Sequence, residues 1–120
     1  MRAALAAALA HEPGVSVIAT VGGFDEALAT IRLRRPDVVL VDSGALGHRG
    51  MAGLADLKAA RSSTAILVMG IVHDRGLERD AVRHGAVARV LKDAPAPDLA
   101  AAVRDAAGRR GRLRIVPPAP

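Results

Sequence analysis

An apolar run that ends in an acidic residue limits the possible folds most strongly. Residues 38–41 (Val-Val-Leu-Val) are all apolar and mostly β-branched. This pattern predicts a strand buried on both faces, as in a parallel sheet covered by helices. Pro36 ends the preceding helix, and Ser43 and Gly44 open a loop. Asp42 is therefore predicted at the carboxyl end of an interior strand, the edge where such sheets hold anions or metals. The alternative is an acidic residue that only caps the strand.

Helix and strand patterns alternate along the rest of the chain. Helices are predicted over 2–11, 24–35, 51–61 and 97–107, with a further one around Leu77 to Val82 that stops at His84 and Gly85. Strands are predicted over 15–21, 65–69 and 87–91 in addition to the Asp42 strand. Strands separated by helices predict right-handed crossovers and an α/β, doubly wound parallel sheet. We predict one domain over 1–108 and a basic tail rich in Pro and Arg over 109–120.

Composition excludes several classes of function. Phe24 is the one aromatic residue, which argues against a base-stacking nucleic-acid surface, and the absence of cysteine excludes disulfides and thiolate chemistry. No apolar run approaches the roughly 20 residues of a membrane helix, and the start of the chain is a poor signal peptide. We therefore expect a cytoplasmic protein that does not enter a membrane.

The net charge of +5 is carried almost wholly by arginine. The arginines form two local clusters, at 32–35 and at 109–114, and not a continuous basic stripe. A solvated helix end and a basic tail account for these clusters better than a nucleic-acid surface does. Direct DNA binding by this chain alone is not expected.

Three strand ends are predicted to meet at one edge of the sheet. Asp42, Gly70 and Lys92 each follow or end a predicted strand, and the carboxyl ends of parallel strands share an edge. An aspartate and a lysine brought together there form a charge pair that can hold the charge of a phosphoryl group.

The run from residue 2 to 108 resembles the receiver domain of bacterial response regulators, especially the LuxR/NarL-type subfamily. The resemblance is carried by residues 35–42 (Arg-Pro-Asp-Val-Val-Leu-Val-Asp), by Gly47, Gly50, Leu54 and Leu57 at matching spacing, and by 84–86 and 90–95. It implies a flavodoxin-like fold and phosphotransfer from a histidine kinase to Asp42. It also implies Mg²⁺ beside Asp42, Lys92 on the phosphoryl group, and output or dimerisation through the family's fourth helix, fifth strand and fifth helix.

The sequence departs from the family pattern at four places. The family's first strand, which ends in two acidic Mg²⁺ ligands, has no counterpart before the first helix, so Asp42 alone is an incomplete metal site. The switch hydroxyl falls at Gly70, and the aromatic switch residue falls at Arg89. The family's Met-Pro in the following loop is Ala45 and Leu46. These departures predict a pseudo-receiver that has lost conventional phosphorylation switching.

The lost strand is central in the family, and its absence would leave unpaired backbone and exposed apolar surface. The first explanation is a true start upstream of Met1, and the second is a degenerate domain that pairs with a partner's strand. The least favoured explanation is that residues 112–116 fold back into the slot, with Pro117 and Pro118 replacing the acidic pair. Disorder is the alternative for this tail.

The histidines are interpreted mainly as structural or solvated. His11 and His84 fall at helix ends, where they interact with the helix dipole. His48 and His73 fall in loops at the functional edge, and a metal role with Asp42 is the less favoured interpretation.

We expect a signalling domain without enzymatic activity or a resident cofactor, acting through protein contacts or dimerisation in transcriptional or phosphorelay regulation. The expected partners are a histidine kinase, another regulator chain or a second copy.

Two alternatives stay open. One is a phospho-accepting receiver with a clipped N-terminus, which would use Mg²⁺. The other is a module that binds a small ligand or an anion near Gly70, His73 and Arg89. No helix-turn-helix is expected after Gly108, so DNA-binding output would need another chain or a longer product.

Overall fold

The computed structural model describes residues 2–108 and 113–116. Helices and strands alternate over these residues. The helices are α1 (Arg2–Ala10), α2 (Phe24–Arg34), α3 (Gly50–Ala60), α4 (Arg75–Arg83) and α5 (Ala96–Ala106). The strands are β1 (Val15–Val17), β2 (Val38–Asp42), β3 (Ala65–Gly70), β4 (Ala88–Leu91) and β5 (Leu113–Val116), and a 3-10 helix spans Ser43–Arg49.

All five strands lie in one parallel sheet with the order β1-β5-β2-β3-β4. The predicted doubly wound α/β fold is confirmed. The flavodoxin-like order is 2-1-3-4-5, and here β1 to β4 take the places of its strands 2 to 5. The place of its first strand is taken by β5, which comes from the other end of the domain.

Strand β5 fills the slot that the sequence analysis identified as empty. Its residues run from Leu113, opposite Val15, to Ile115, opposite Val17, and on its other side Ile115 lies opposite Val38. Residues 113–116 therefore fold back into the slot, which was the least favoured of the three explanations. The alternative of disorder is wrong for these four residues. Arg112, Pro117 and Pro118, also named in that hypothesis, lie outside the described residues.

Helices cover both faces of the sheet. Helices α1 and α5 pack on one face through Leu9, Leu99, Ala100 and Val103, against β-strand residues such as Leu40 and Met69. Helices α2, α3 and α4 pack on the other face, through Ala27, Ile31, Leu54, Leu57 and Ala81. Every residue of β2 and β3 is buried, which explains why these two strands read as continuous apolar runs and not as alternating patterns.

Two predicted elements differ from the structure. The strand predicted over 15–21 ends at Val17, because β1 is an edge strand whose neighbour is β5 alone and their pairing ends at Ile115. Ile18 and Val21 instead pack, partly buried, against the core cluster that contains Ala27 and Ile31 of α2. The loop predicted after Asp42 is largely a 3-10 helix. It gives way to α3 at Gly50, which has a positive φ of 53°, a conformation suited to glycine.

A buried hydroxyl fixes the starts of β2 and β3 relative to each other. Thr64 is fully buried, and its Oγ1 donates to the carbonyl of Pro36 at 2.7 Å. The Arg61 guanidinium donates to the same carbonyl at 2.9 Å and to Thr64 Oγ1 at 3.0 Å. This network helps to fix the register between the starts of β2 and β3. It thereby helps to fix the relative positions of Asp42 and Gly70 at their carboxyl ends.

We expect Thr64→Val to destabilise the fold by about 1 to 2 kcal/mol, because the hydroxyl leaves a buried network with both its donor and its acceptor interactions lost. Arg61 would still bond to the Pro36 carbonyl and limit the loss. Urea denaturation followed by circular dichroism measures the change. Thr64→Ser, which keeps the hydroxyl, should lose less than Thr64→Val. A valine variant as stable as the parent chain would show that the network does not stabilise the sheet.

Candidate functional site

Asp42 lies at the end of β2 with its carboxylate held on both oxygens. Only 6% of the residue is exposed. Oδ2 lies 2.6 Å from Lys92 Nζ, and Oδ1 accepts a hydrogen bond of 3.0 Å from the backbone N–H of Gly44. The Gly44 bond comes from the first residues of the 3-10 helix, so the chain turns back over the carboxylate directly after the strand.

Lys92 reaches Asp42 from the end of β4, two strands away. Its backbone N–H donates to the carbonyl of Gly70 at 2.8 Å, which continues the β3–β4 ladder by one residue. Its side chain is 39% exposed, whereas the Asp42 side chain is 9% exposed. The three predicted strand ends at Asp42, Gly70 and Lys92 therefore meet at one edge of the sheet, and the pair joins a buried anion to a half-buried cation.

The described residues around Asp42 supply an incomplete ligand set for Mg²⁺. Magnesium takes an octahedral set of oxygen ligands. Within the described segments there is no group of three or more His, Asp or Glu side chains that could hold a metal, and Asp42 already faces an ammonium and an N–H. His48 and His73 are both exposed, and they join no such group. The metal expectation for Asp42 thus finds no supporting donor set among these residues.

Gly70 and Arg89, which the resemblance placed at the switch positions, lie next to each other in space. An ideal Cβ built on Gly70 would lie 2.8 Å from Arg89 Nε and closer still to Cζ and Nη2. The guanidinium also donates from Nη1 to the carbonyl of Val72. The Arg89 side chain therefore occupies the space that a side chain at position 70 would need.

The N-terminus of α4 lies beside this pair. Asp74 is its N-cap, and its Oδ1 accepts a hydrogen bond of 3.0 Å from the backbone N–H of Leu77. That hydrogen bond holds the pKa of Asp74 below its usual value, and the N–H of Gly76 and the positive charge of Arg89 act in the same direction. Asp74 was not among the predicted site residues. The sequence signal for this cap is an aspartate directly before a predicted helix, placed to accept from the backbone N–H three residues later.

His11 and His84 lie just past helices, as predicted. Nδ1 of His11 lies 2.7 Å from the carbonyl of Ala7, and Nδ1 of His84 lies 2.7 Å from the carbonyl of Asp80. Each imidazole thus bonds to the last turn of its helix. Gly85 follows with a positive φ of 113°.

Most of the exposed large apolar side chains in the described residues belong to the segment from the end of β3 to the start of β4. They belong to the segment after β3, to α4 itself and to the residue before β4: Ile71, Val72, Leu77, Val82 and Val87. Ile71 is the most exposed of them, at 80%. None of the helices in the described ranges is long and apolar enough to cross a membrane.

Comparison with known proteins identifies relatives of this chain. The family model described as the response regulator receiver domain matches residues 1–104. The DNA-binding transcriptional activator DevR/DosR of Mycobacterium tuberculosis is 28% identical over 113 residues, which are 94% of this chain and 52% of that protein. The chain thus spans about half the length of this curated relative.

Two solved structures share the fold closely. The signal receiver domain of NarL from Mycobacterium tuberculosis superposes with a TM-score of 0.79 at 26% identity, over 90% of this chain and 87% of that one. The receiver domain of NtrX from Brucella abortus superposes with a TM-score of 0.76 at 25% identity, over 89% of each chain.

Proposed function

The chain belongs to the response regulator receiver domain family, whose members serve in two-component signalling, and from this we propose that it is a pseudo-receiver. In this role it regulates transcription or a phosphorelay through protein contacts or dimerisation, without a phosphorylation switch at Asp42. It takes no resident cofactor and catalyses no reaction.

The observation that carries this proposal is that no cluster of three or more metal-binding side chains accompanies Asp42 in the described residues. A carboxylate that attacks phosphorus needs a divalent cation to neutralise both reactants. Lys92 at 2.6 Å and the N–H of Gly44 at 3.0 Å already contact the Asp42 carboxylate, and neither is a ligand for a cation. Gly70 also supplies no hydroxyl to close on a phosphoryl group.

The proposed partners are a histidine kinase, another regulator chain or a second copy of this chain. The contact surface is the face of α4, β4 and α5, which corresponds to the family's fourth helix, fifth strand and fifth helix. The exposed apolar side chains Leu77 and Val82 on α4 support this choice, because apolar side chains left in solvent can be buried by a partner. Any DNA contact is assigned to another chain or to a longer product.

A phospho-accepting receiver is the second candidate. The favouring observation is the Asp42–Lys92 pair itself, since the resemblance assigns Lys92 to the phosphoryl group. In that case the acidic groups for Mg²⁺ would come from outside the described residues.

The experiment is the intact mass of the folded chain after incubation with acetyl phosphate and Mg²⁺, measured beside Asp42→Asn and Asp93→Asn. Asp93 adjoins Lys92 in sequence and controls for labelling of an aspartate at this edge. We expect no phosphoryl adduct on any of the three proteins, with circular dichroism showing that each is folded. One adduct on the parent chain and on Asp93→Asn, absent from Asp42→Asn, would replace the pseudo-receiver with the phospho-accepting receiver.

A further inference from the structure

Arg89 and Gly70 belong to neighbouring strands and depend on each other. Arg89 lies on β4 opposite Val68 of β3, and Gly70 ends β3 two residues later. The guanidinium lies where a Cβ at position 70 would be. Only glycine at position 70 leaves room for this conformation of Arg89, because any other residue would bring a Cβ into contact with the guanidinium.

Arg89 also ties β4 to the segment that leads into α4. Its Nη1 donates to the carbonyl of Val72, within the connection formed by residues 71–74. The same connection ends in Asp74, which caps α4 through Leu77. Arg89 therefore contacts the connection at Val72 and adds positive charge near its last residue. A hydrogen bond from a charged donor is stronger than one between neutral groups.

We infer that Gly70 and Arg89 form a latch that holds the β3–α4 connection, residues 71–74, against β4. The conformation of the connection is then set by a hydrogen bond within the chain and not by the charge on Asp42. The latch is defined by Gly70, Arg89 and the Val72 carbonyl. It is a property of the isolated domain and goes beyond the proposed function.

The latch has one consequence that rests on the proposed function. Ile71 and Val72 are exposed within the connection, and Leu77 is exposed on the first turns of α4. A fixed connection presents these apolar side chains in one arrangement at all times. A partner that binds this face would therefore meet the same surface whatever the state of Asp42.

The alternative is that Arg89 is a solvated surface arginine whose contacts have no effect on the connection. The two accounts differ in the effect of removing the donor. A latch slows opening of the connection, and local opening is what native-state amide hydrogen exchange measures. Without a latch, exchange in the connection is the same with and without the guanidinium.

The test is hydrogen exchange by mass spectrometry on peptides that cover residues 71–77. We expect Arg89→Met, which keeps an unbranched apolar stem and removes the donors, to raise exchange about tenfold there, the effect of losing one charge-assisted hydrogen bond. Gly70→Ala should raise it by a similar factor, because the new methyl group displaces the guanidinium. Arg34→Ala, which removes an arginine at the far end of α2, is the charge control and should leave the connection unchanged.

The double variant Gly70→Ala with Arg89→Met decides whether the two residues act as one unit. We expect its exchange to match that of either single variant, since each change opens the same latch. Multiplied effects would show two independent sites and overturn the inference, as would parent-like exchange in Arg89→Met. If Gly70→Ala unfolds, Arg89→Met alone decides between the accounts. The experiment uses neither a phosphodonor nor a partner, so its failure would leave the pseudo-receiver proposal intact, and the converse also holds.

Discussion

Replacing Ile115 by proline is expected to abolish cooperative folding. Ile115 lies between Val17 of β1 and Val38 of β2, so its backbone N–H points at a neighbouring strand. Proline removes that donor and is not tolerated in the middle of a sheet. We expect a loss of more than about 3 kcal/mol, a large part of the roughly 5 to 15 kcal/mol that stabilises a domain. The measurement is a thermal or urea transition followed by circular dichroism.

Ile115→Val is the matched control for this experiment. It keeps the backbone N–H and a β-branched side chain, so it should unfold cooperatively close to the parent chain. A proline variant that unfolds like the parent would mean that β5 does not hold the sheet together, and the central slot would then have to be filled in another way. The comparison separates the backbone of β5 from its side-chain chemistry.

Replacing Lys92 by methionine is expected to destabilise the domain by about 2 kcal/mol at neutral pH. The variant keeps much of the side-chain volume but removes the ammonium 2.6 Å from the buried Asp42 carboxylate. Breaking a fully buried ion pair costs about 3 to 5 kcal/mol, and an exposed pair contributes about 0 to 1. The expected value lies between them because Lys92 is half-buried. Urea denaturation measures it.

The double variant Asp42→Asn with Lys92→Met shows the cause of that loss. Asparagine removes the charge that methionine leaves without its cation, so the double variant should recover much of the stability lost in Lys92→Met. Equal stabilities of Lys92→Met and the parent chain would show that the pair is electrostatically unimportant. Contact with a phosphoryl group or a partner would then be the remaining role for Lys92.

The position of β5 makes the sheet depend on the segment that follows the last helix. In the flavodoxin-like order the central strand comes first, and here residues 113–116 supply it after the last helix. The two halves of the sheet, β1 and β2 to β4, pair with each other only through β5 in the described segments. The stability of the Asp42 edge therefore depends on residues that local pattern assigned to a tail.

Buried strands and their helices could be predicted from sequence because their signals are local. The apolar runs of β2 and β3 reflect burial on both faces, and α2 and α4 end shortly before Pro36 and Gly85 for backbone reasons. The meeting of Asp42 with Lys92 was also predictable. Parallel strands end at one edge, so a residue at the end of a strand is placed by topology alone.

Only the tertiary structure decided where β5 pairs and how Arg89 lies. Four residues such as Leu113–Val116 carry no information about their neighbours, because strand pairing joins segments far apart in sequence. The same holds for Gly70 and Arg89, which are 19 residues apart in the sequence. Only the fold shows that the Arg89 guanidinium occupies the space beside Gly70. The sequence by itself determined the elements and the edge at which the polar residues gather. The tertiary structure decided which strand completes the sheet and which side chain fills the space above Gly70, because both depend on non-local packing.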